Sequence, residues 1–381
     1  MNSSDLVWFL LGALVPACFI SLALGYVVRR YAARWRLVDE PGGRKTHARA
    51  TPLGGGLAIF GGVVIPFAVG FATLWLGGAE EGAMSHASVA WLPALVRVHV
   101  NGLWHQASSL WTLLAAGGVL LLIGLADDRF HINWKPRLLV QFAVAAFCVY
   151  QQEWKFTAFL NMPGVSSAFS LLWIVTLVNA FNMLDNMDGL AAGMAVLIAG
   201  TLAAVLLTPG LEPGGPQLFV AGFLLVLVGS LLGFLWHNRP PARLFMGDAG
   251  SYFIGFSIAL ATMLATYTNY QSPQQHTILV PLCALAVPLY DLVSVVCLRL
   301  ARGQSPFQPD RSHFSHRLVD LGMTRGQAVL TVYLTTATCC LGALLLPRVD
   351  TTGAVIIVVL VSCVLLLVAI LEMAARRKIM R

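Results

Sequence analysis

Charge is scarce in this chain: Asp, Glu, Lys and Arg together make up 11% of its 381 residues. Two or three soluble domains of that total length would need far more polar surface, so the soluble class is excluded. Cysteine is present but without pattern. The seven, at positions 18, 148, 283, 297, 339, 340 and 363, all lie in apolar runs with no metal-like spacing, which argues against zinc and disulfide roles. A basic stretch ahead of the first apolar run is also missing. The chain opens Met-Asn-Ser-Ser-Asp, and Arg29, Arg30, Arg34 and Arg36 follow the run instead. That order predicts an uncleaved first span with its N-terminus outside, not a removed signal peptide.

What the chain has in quantity is apolar sequence: 58% hydrophobic residues and a mean hydropathy of +0.77. The expectation is an all-α, polytopic integral membrane bundle. Windows near the roughly 17–25 residues that cross a bilayer give about eleven spans. They fall near 6–26, 53–77, 110–126, 136–151, 167–184, 188–207, 217–236, 251–268, 276–298, 327–346 and 353–373. Of the 24 Lys and Arg, all but Arg97, Lys155 and Arg348 lie on the side of the odd-to-even connections and the C-terminus. The positive-inside rule therefore puts that side in the cytoplasm, and the net charge of +7 needs no nucleic acid to account for it. The segment 78–109, with Glu80, Glu81 and three histidines, is expected outside as a solvated loop with a short interfacial helix.

Against this apolar background, Asn179-Ala-Phe-Asn182-Met-Leu-Asp185-Asn186-Met-Asp188-Gly189-Leu190 stands between two long apolar runs. An unpaired polar group in lipid costs several kcal/mol, so these side chains are expected to face protein, water or a ligand. On a continuous helix Asn179, Asn182 and Asn186 would share a face with Asp185 beside Asn182, and Gly189 would let the chain turn.

Other polar clusters fall on the same predicted side. Asp127-Asp128 end the third span, where the helix dipole and mutual repulsion disfavour both charges, so a cation or shared proton is expected there. Trp134-Lys135-Pro136-Arg137 follows, with Arg137 inside the fourth helix and suited to a buried anion contact. His237-Asn238-Arg239 close the seventh span, and Phe245-Met-Gly247-Asp248-Ala-Gly250-Ser251 enters the eighth. Asp248 there reads equally as a helix cap or a ligand. Gly42-Gly43-Arg44-Lys45-Thr46-His47 and the triple glycine 54–56 suit either phosphate approach or helix packing. Asp291 lies within the ninth span and reads as functional or helix-bridging. The last large loop carries Asp310-Arg311-Ser312-His313-Phe-Ser315-His316, suited to phosphate binding or proton handling.

Carboxylates, amides, His and Arg converging on one membrane face are what Mg²⁺-assisted chemistry on a phosphate ester requires, since Mg²⁺ needs only one or two protein oxygens beside substrate phosphates. In order and type, Asp127-Asp128, Asn179-x-x-Asn182-x-x-Asp185-x-x-Asp188-Gly-Leu, Phe245-Met-Gly-Asp248-x-Gly-Ser251 and Arg311-Ser-His313-Phe-Ser-His316 resemble the motifs of the polyprenyl-phosphate N-acetylhexosamine-1-phosphate transferases. The match runs from about Asp39 to Leu318. The Arg44-Lys45-x-His47 loop is similar to the N-acetylglucosamine branch more than to the peptidoglycan MurNAc-pentapeptide translocase.

The resemblance implies one membrane-embedded transferase domain over 1–381, with cytoplasmic site loops near 39–56, 127–137, 179–190, 238–251 and 305–318. It implies transfer of N-acetylglucosamine-1-phosphate from UDP-GlcNAc to undecaprenyl phosphate with release of UMP, in a bacterial inner membrane, with Mg²⁺ as cofactor and Mn²⁺ able to substitute. Another UDP-N-acetylhexosamine or UDP-MurNAc-pentapeptide stays open as donor, and so does a homodimer. By resemblance Asn182 and Asp248 bind the metal, Asp127 and Asp128 position or deprotonate the lipid phosphate, and Asp185 and Asp188 lie at the nucleotide end. Lys45 and Arg137 lie at the diphosphate, Asn238 and Arg311 bind substrate, and His313 and His316 stand beside the sugar phosphates.

The chain departs from the pattern twice. Asn186 stands where the family often has Gly, so that left-handed backbone is expected at Asn186, and Ser315 replaces the middle histidine of His-x-His-His. A cation-coupled transporter, from another class, would spread polar residues through mid-span positions. An intramembrane prenyltransferase would space its aspartates about four apart.

Overall fold

The computed structural model describes residues 3–40, 50–79, 94–156, 162–208, 216–265, 267, 275–305 and 312–379. These form an all-α bundle: α1 (Ser3–Trp35), α2 (Gly55–Leu76), α3 (Ala94–Phe130), α4 (Trp134–Ala146), α5 (Pro163–Leu184), α6 (Leu190–Leu206), α7 (Leu218–Asn238), α8 (Gly247–Leu264), α9 (Val280–Ala284), α10 (Ala286–Ala301), α11 (Phe314–Asp320), α12 (Arg325–Leu345) and α13 (Thr351–Ile379). Every apolar stretch expected to span is helical. Among the described residues seven helices are long and apolar enough to cross a membrane, and α9–α10, bent by 61°, make an eighth if taken together.

Three departures have local causes. The second half of the expected external segment, 94–109, is the start of α3, which runs 37 residues from Ala94 with no proline to stop it, and 80–93 lie outside the described residues. Its early turns are held down by Val100 packing with Leu74 and Ala79, and by Trp104, whose Nε1 donates to the Ala79 carbonyl at 2.5 Å. The fourth span stops after 13 residues and continues as a single π turn, Phe147–Gln151. The ninth span breaks at Leu285, four residues after Pro281, because Pro288 has no N–H for the Ala284 carbonyl and its ring crowds that turn.

A central layer of α6, α7 and α8 is almost wholly buried. Around it, α1 packs on α7 and α2, α3 and α5 both pack on α8, and α12 packs on α6. Exposed Leu, Val, Ile and Phe cover the outer helices, as expected where lipid is the solvent. The triple glycine serves packing: the Gly55 and Gly56 N–H groups donate to the carbonyls of Phe245 (2.9 Å) and Met246 (3.0 Å), and Gly56 lies directly against the backbone of Gly250. An antiparallel strand pair, β1 (Val38–Asp39) and β2 (Thr51–Pro52), brings Asp39 opposite Thr51, and Phe245 N–H donates to Pro52 O at 2.8 Å. The pair is thereby fixed beside the entry to α8.

Candidate active site

The ends of α4, α5, α8, α10 and α11 meet around a cavity of about 270 Å³. Arg137, Asn179, Asn182, Asp185, Asn186, Tyr252, Arg299, His313 and His316 are among its lining residues. Three of the clusters singled out from sequence, those of Arg137, of Asn179–Asn186 and of His313 and His316, therefore line one cavity.

Asp248 is the hub of one wall. Its Oδ1 accepts from Asn182 Nδ2 at 2.7 Å, and its Oδ2 accepts from Arg137 at 2.6 Å and from the Tyr252 hydroxyl at 3.1 Å. Arg137 also pairs with Asp127, so the anion contact expected of it is met here by two carboxylates. Asp128 faces the start of α8: its two oxygens accept from the N–H groups of Asp248 (2.8 Å) and Ala249 (3.3 Å). A carboxylate at that helix start satisfies otherwise unpaired N–H groups and opposes the dipole favourably. Gly247 is required at the contact, because it adopts φ 73° and a side chain there would run into the Asp128 carboxylate.

The polar stretch from Asn179 to Leu190 turns rather than continuing as helix. α5 ends at Leu184, so Asn186 leaves the face shared by Asn179 and Asn182 and enters the turn. Positive φ falls on Gly189 (77°) and not on Asn186, which needs no left-handed backbone. The turn is braced from outside. Asp188 Oδ2 accepts from Ala242 N–H at 2.9 Å, Asn238 Oδ1 accepts from Gly189 N–H at 2.9 Å, and Asn238 Nδ2 donates to Leu244 O at 3.0 Å. Asn179 donates to Gln141 Oε1 at 2.6 Å and so ties α5 to α4. Burial, with Asp248 nearby, pushes the Asp185 carboxyl up to about 7, against the opposing pull of the Gly247 N–H.

The other wall is organised by Asp291. Its Oδ2 accepts from His313 Nδ1 at 3.0 Å and its Oδ1 from Phe314 N–H at 2.6 Å, so it bridges α10 to the histidine helix. A carboxylate only accepts, which places the proton on Nδ1 and leaves Nε2 as the acceptor nitrogen of the ring. His316 lies 6.4 Å from His313, ring centre to ring centre. Beneath them Arg317 pairs with Glu372 of α13 at 3.2 Å, lies 3.7 Å from Asp291, and donates to Ser294 Oγ at 2.7 Å. Tyr290 donates to Glu372 at 2.9 Å.

Sequence reasoning missed Arg299, Tyr252 and Glu372. An Arg or Glu near the end of an apolar run reads as snorkelling, whereas Arg299 and Glu372 are both 5% exposed. Tyr252 directly follows the Gly-Asp-x-Gly-Ser motif and could have been drawn in with it. Lys45 and Arg311 lie outside the described residues.

The donor chemistry fits a hard cation. Asp248 and Asn182 present a carboxylate beside a carboxamide, with Asp127 and Asp185 close by. Among the described residues no three His, Cys, Asp or Glu side chains converge into a closed metal cage. An open set of one or two oxygens suits Mg²⁺, which keeps waters or substrate phosphates in its shell, and does not suit zinc.

Residues 110–266 match the family model described as glycosyl transferase family 4. The chain is 30% identical over 332 residues to the probable undecaprenyl-phosphate N-acetylglucosaminyl 1-phosphate transferase of Bacillus subtilis, covering 84% of this chain and 80% of that protein. It is 33% identical over 328 residues to the decaprenyl-phosphate N-acetylglucosaminephosphotransferase of Mycobacterium tuberculosis, covering 81% and 75%. It is 29% identical over 326 residues to the undecaprenyl-phosphate alpha-N-acetylglucosaminyl 1-phosphate transferase of Escherichia coli, covering 82% and 77%.

Proposed function

The chain belongs to glycosyl transferase family 4, and from that premise we propose that it transfers N-acetylglucosamine-1-phosphate from UDP-GlcNAc to undecaprenyl phosphate, releasing UMP. The observation that carries this reading is one cavity with Asn182 and Arg137 on one wall and His313 and His316 on the other, where Asp248 holds both Asn182 and Arg137 and Asp127 pairs with Arg137. The distribution of Lys and Arg supports a cytoplasmic site in a bacterial inner membrane.

In this reaction an oxygen of the lipid phosphate attacks the β-phosphorus of the donor in line. The bond from that phosphorus to the oxygen bridging the α-phosphorus breaks, and UMP leaves with the electron pair. A phosphate monoester has its second pKa near 6 and is largely ionised at neutral pH, so positioning outweighs base catalysis. No covalent enzyme intermediate is needed.

Asp248 and Asn182 would hold Mg²⁺, which supplies charge neutralisation for the donor diphosphate. Arg137, held by Asp127 and Asp248, is poised to exchange a carboxylate for an equatorial phosphate oxygen. Asp128 fixes the start of α8, and with it Asp248, a support role distinct from the expected contact with the lipid phosphate. His313, oriented by Asp291, and His316 face the sugar phosphates, with buried Arg299 as a further cation. Asp185 stands at the nucleotide end, and Asp188 and Asn238 hold its turn. By resemblance Lys45 would lie at the diphosphate and Arg311 would bind substrate.

The test is direct. Purified protein is incubated with undecaprenyl phosphate, Mg²⁺ and a panel of UDP-sugars, and UMP is measured. UMP release with UDP-GlcNAc is expected, dependent on the lipid and abolished by EDTA. Absence of release with every UDP-sugar would sink the reading, and release with a different N-acetylhexosamine would reassign the donor.

A further inference from the structure

The turn after α5 and the histidine helix touch at a point to which none of these roles assigns a task. Asn186 Nδ2 donates to the Met183 carbonyl at 2.8 Å, satisfying an oxygen left over at the helix end. A carbonyl can only accept, so this bond fixes which way the amide faces and presents Oδ1 to Ser315. The Ser315 hydroxyl donates to it at 2.6 Å, at the short end of the usual range. Ser315 is 2% exposed and sits between His313 and His316. Asp185, Asn186, His313 and His316 all line the cavity. One neutral hydrogen bond, between residues 129 positions apart, thus joins the turn that bears Asp185 and Asp188 to the helix that bears the histidines.

Asn186 and Ser315 are also the two positions at which the chain departs from its motif pattern, and the structure places them in contact. Their changes are complementary in size. A side chain has been added on the turn where glycine is expected, and an imidazole has been cut back to a hydroxymethyl group on the helix facing it. Packed interiors tolerate such paired changes when total volume is conserved and resist either alone. Asp291 with His313 and Glu372 with Arg317 tie the histidine helix to α10 and α13, and the helix also packs on α12.

We propose that Asn186 and Ser315 form a positioning pair that sets the gap between the two walls and so the fit of the sugar–diphosphate end of the donor. The pair touches no reacting atom, and the proposal rests on the transferase reading above. Loss of either partner widens the gap on the donor side and leaves the wall around Asp248 intact. Donor binding should therefore suffer more than turnover or use of the lipid.

The full-length enzyme is assayed for UMP release with UDP-GlcNAc and undecaprenyl phosphate varied separately. Asn186→Ala and Ser315→Ala are each expected to raise the donor KM about five- to tenfold, with kcat and the lipid KM changing less than about threefold. The double alanine variant should be no worse than the worse single, because both remove one bond. Ser315→Thr, which keeps a hydroxyl, should recover most of the donor affinity lost in Ser315→Ala. Ser315→His alone should cost more than about tenfold in kcat/KM through crowding, and Asn186→Gly in the same chain should relieve it. Multiplicative single effects, a loss confined to kcat, or no relief by Asn186→Gly would each overturn the pair. If Ser315→His does not fold, as judged by monodispersity and thermal unfolding, the alanine cycle with Ser315→Thr decides alone. An unmodified enzyme that releases no UMP from any UDP-sugar sinks the transferase reading, whereas an active enzyme with unaltered alanine variants sinks only the pair.

Discussion

On the wall formed by α3, α4 and α8, Asp127 and Asp248 share the one cation that the described ion pairs supply, Arg137, while Asp128 and Asp185 lie close by. On the wall formed by α10, α11 and α13, Asp291 is matched to His313 and Glu372 to Arg317. The first wall gathers more carboxyl groups than cations, and they are partly exposed (13% for Asp127, 24% for Asp248). The second is buried and closed upon itself, with Asp291 at 1% and Glu372 at 5%. Like charges held together without a counter-ion destabilise the ligand-free state and favour any cation that enters. Paired, buried charges do the opposite and lock geometry. One wall is therefore organised to receive charge and the other to hold shape. The match to the family model, 110–266, takes in the first wall and stops short of the second.

The largest expected effect tests the receiving wall. Asp248→Asn keeps the size of the side chain but removes its charge, and UMP release should fall by at least about 10²–10³-fold while the protein remains monodisperse. In the unmodified protein, saturating Mg²⁺ should raise the unfolding temperature, since a ligand at about 100 times its Kd contributes roughly 2.7 kcal/mol. That shift should vanish in Asp248→Asn. A shift of equal size in the variant would move the cation away from this wall and break the contrast.

Next comes the shape-holding wall. Asp291→Asn presents an amide to His313 and removes the charge that fixes the proton on Nδ1, so kcat should fall by about 10–10²-fold. The Mg²⁺-induced thermal shift should be retained, which separates this variant from Asp248→Asn. Glu372→Gln lies one step further from the cavity. It leaves Arg317 buried beside Asp291 alone, so the loss should appear first in thermal stability, by up to about 3–5 kcal/mol, with UMP release reduced less than about tenfold. A Glu372→Gln variant that kept its stability and lost its activity would place Glu372 in the reaction rather than under it.

Much of this was legible from sequence, and the boundary has a physical reason. Apolar run length is a local property, and every predicted span is helical in the structure. Convergence of Asp127, Asn182, Asp248 and His313 followed from which predicted membrane side each cluster fell on. The partner each carboxylate would meet did not follow. Asp128 caps α8 only because α3 packs tightly enough on α8 for Gly124 to touch the backbone of Asp248 and Ala249. Glu372 reads as the end of an apolar run until Arg317, on another helix, comes to within 3.2 Å. The place where the polar stretch leaves its helix was also hidden, since Asn186 is as plausible on a helical face as in the turn until Gly189 takes the positive φ.

The smallest expected effect bears on where the receiving wall ends. Asp188 lies in the same stretch as Asp185, yet its Oδ2 is engaged by Ala242 N–H at 2.9 Å. An amide oxygen accepts that hydrogen bond nearly as well as a carboxylate. If Asp188 acts as a brace for the turn, Asp188→Asn should leave kcat and the donor KM within about threefold, and Asp188→Ala, which removes the acceptor, should lower stability by about 1–3 kcal/mol. If instead the charge itself is used at the nucleotide end, Asp188→Asn will raise the donor KM well beyond that and Asp188→Ala will do no worse. Measuring donor KM in both variants thus decides whether the negative wall stops at Asp185 or continues through the turn to Asp188.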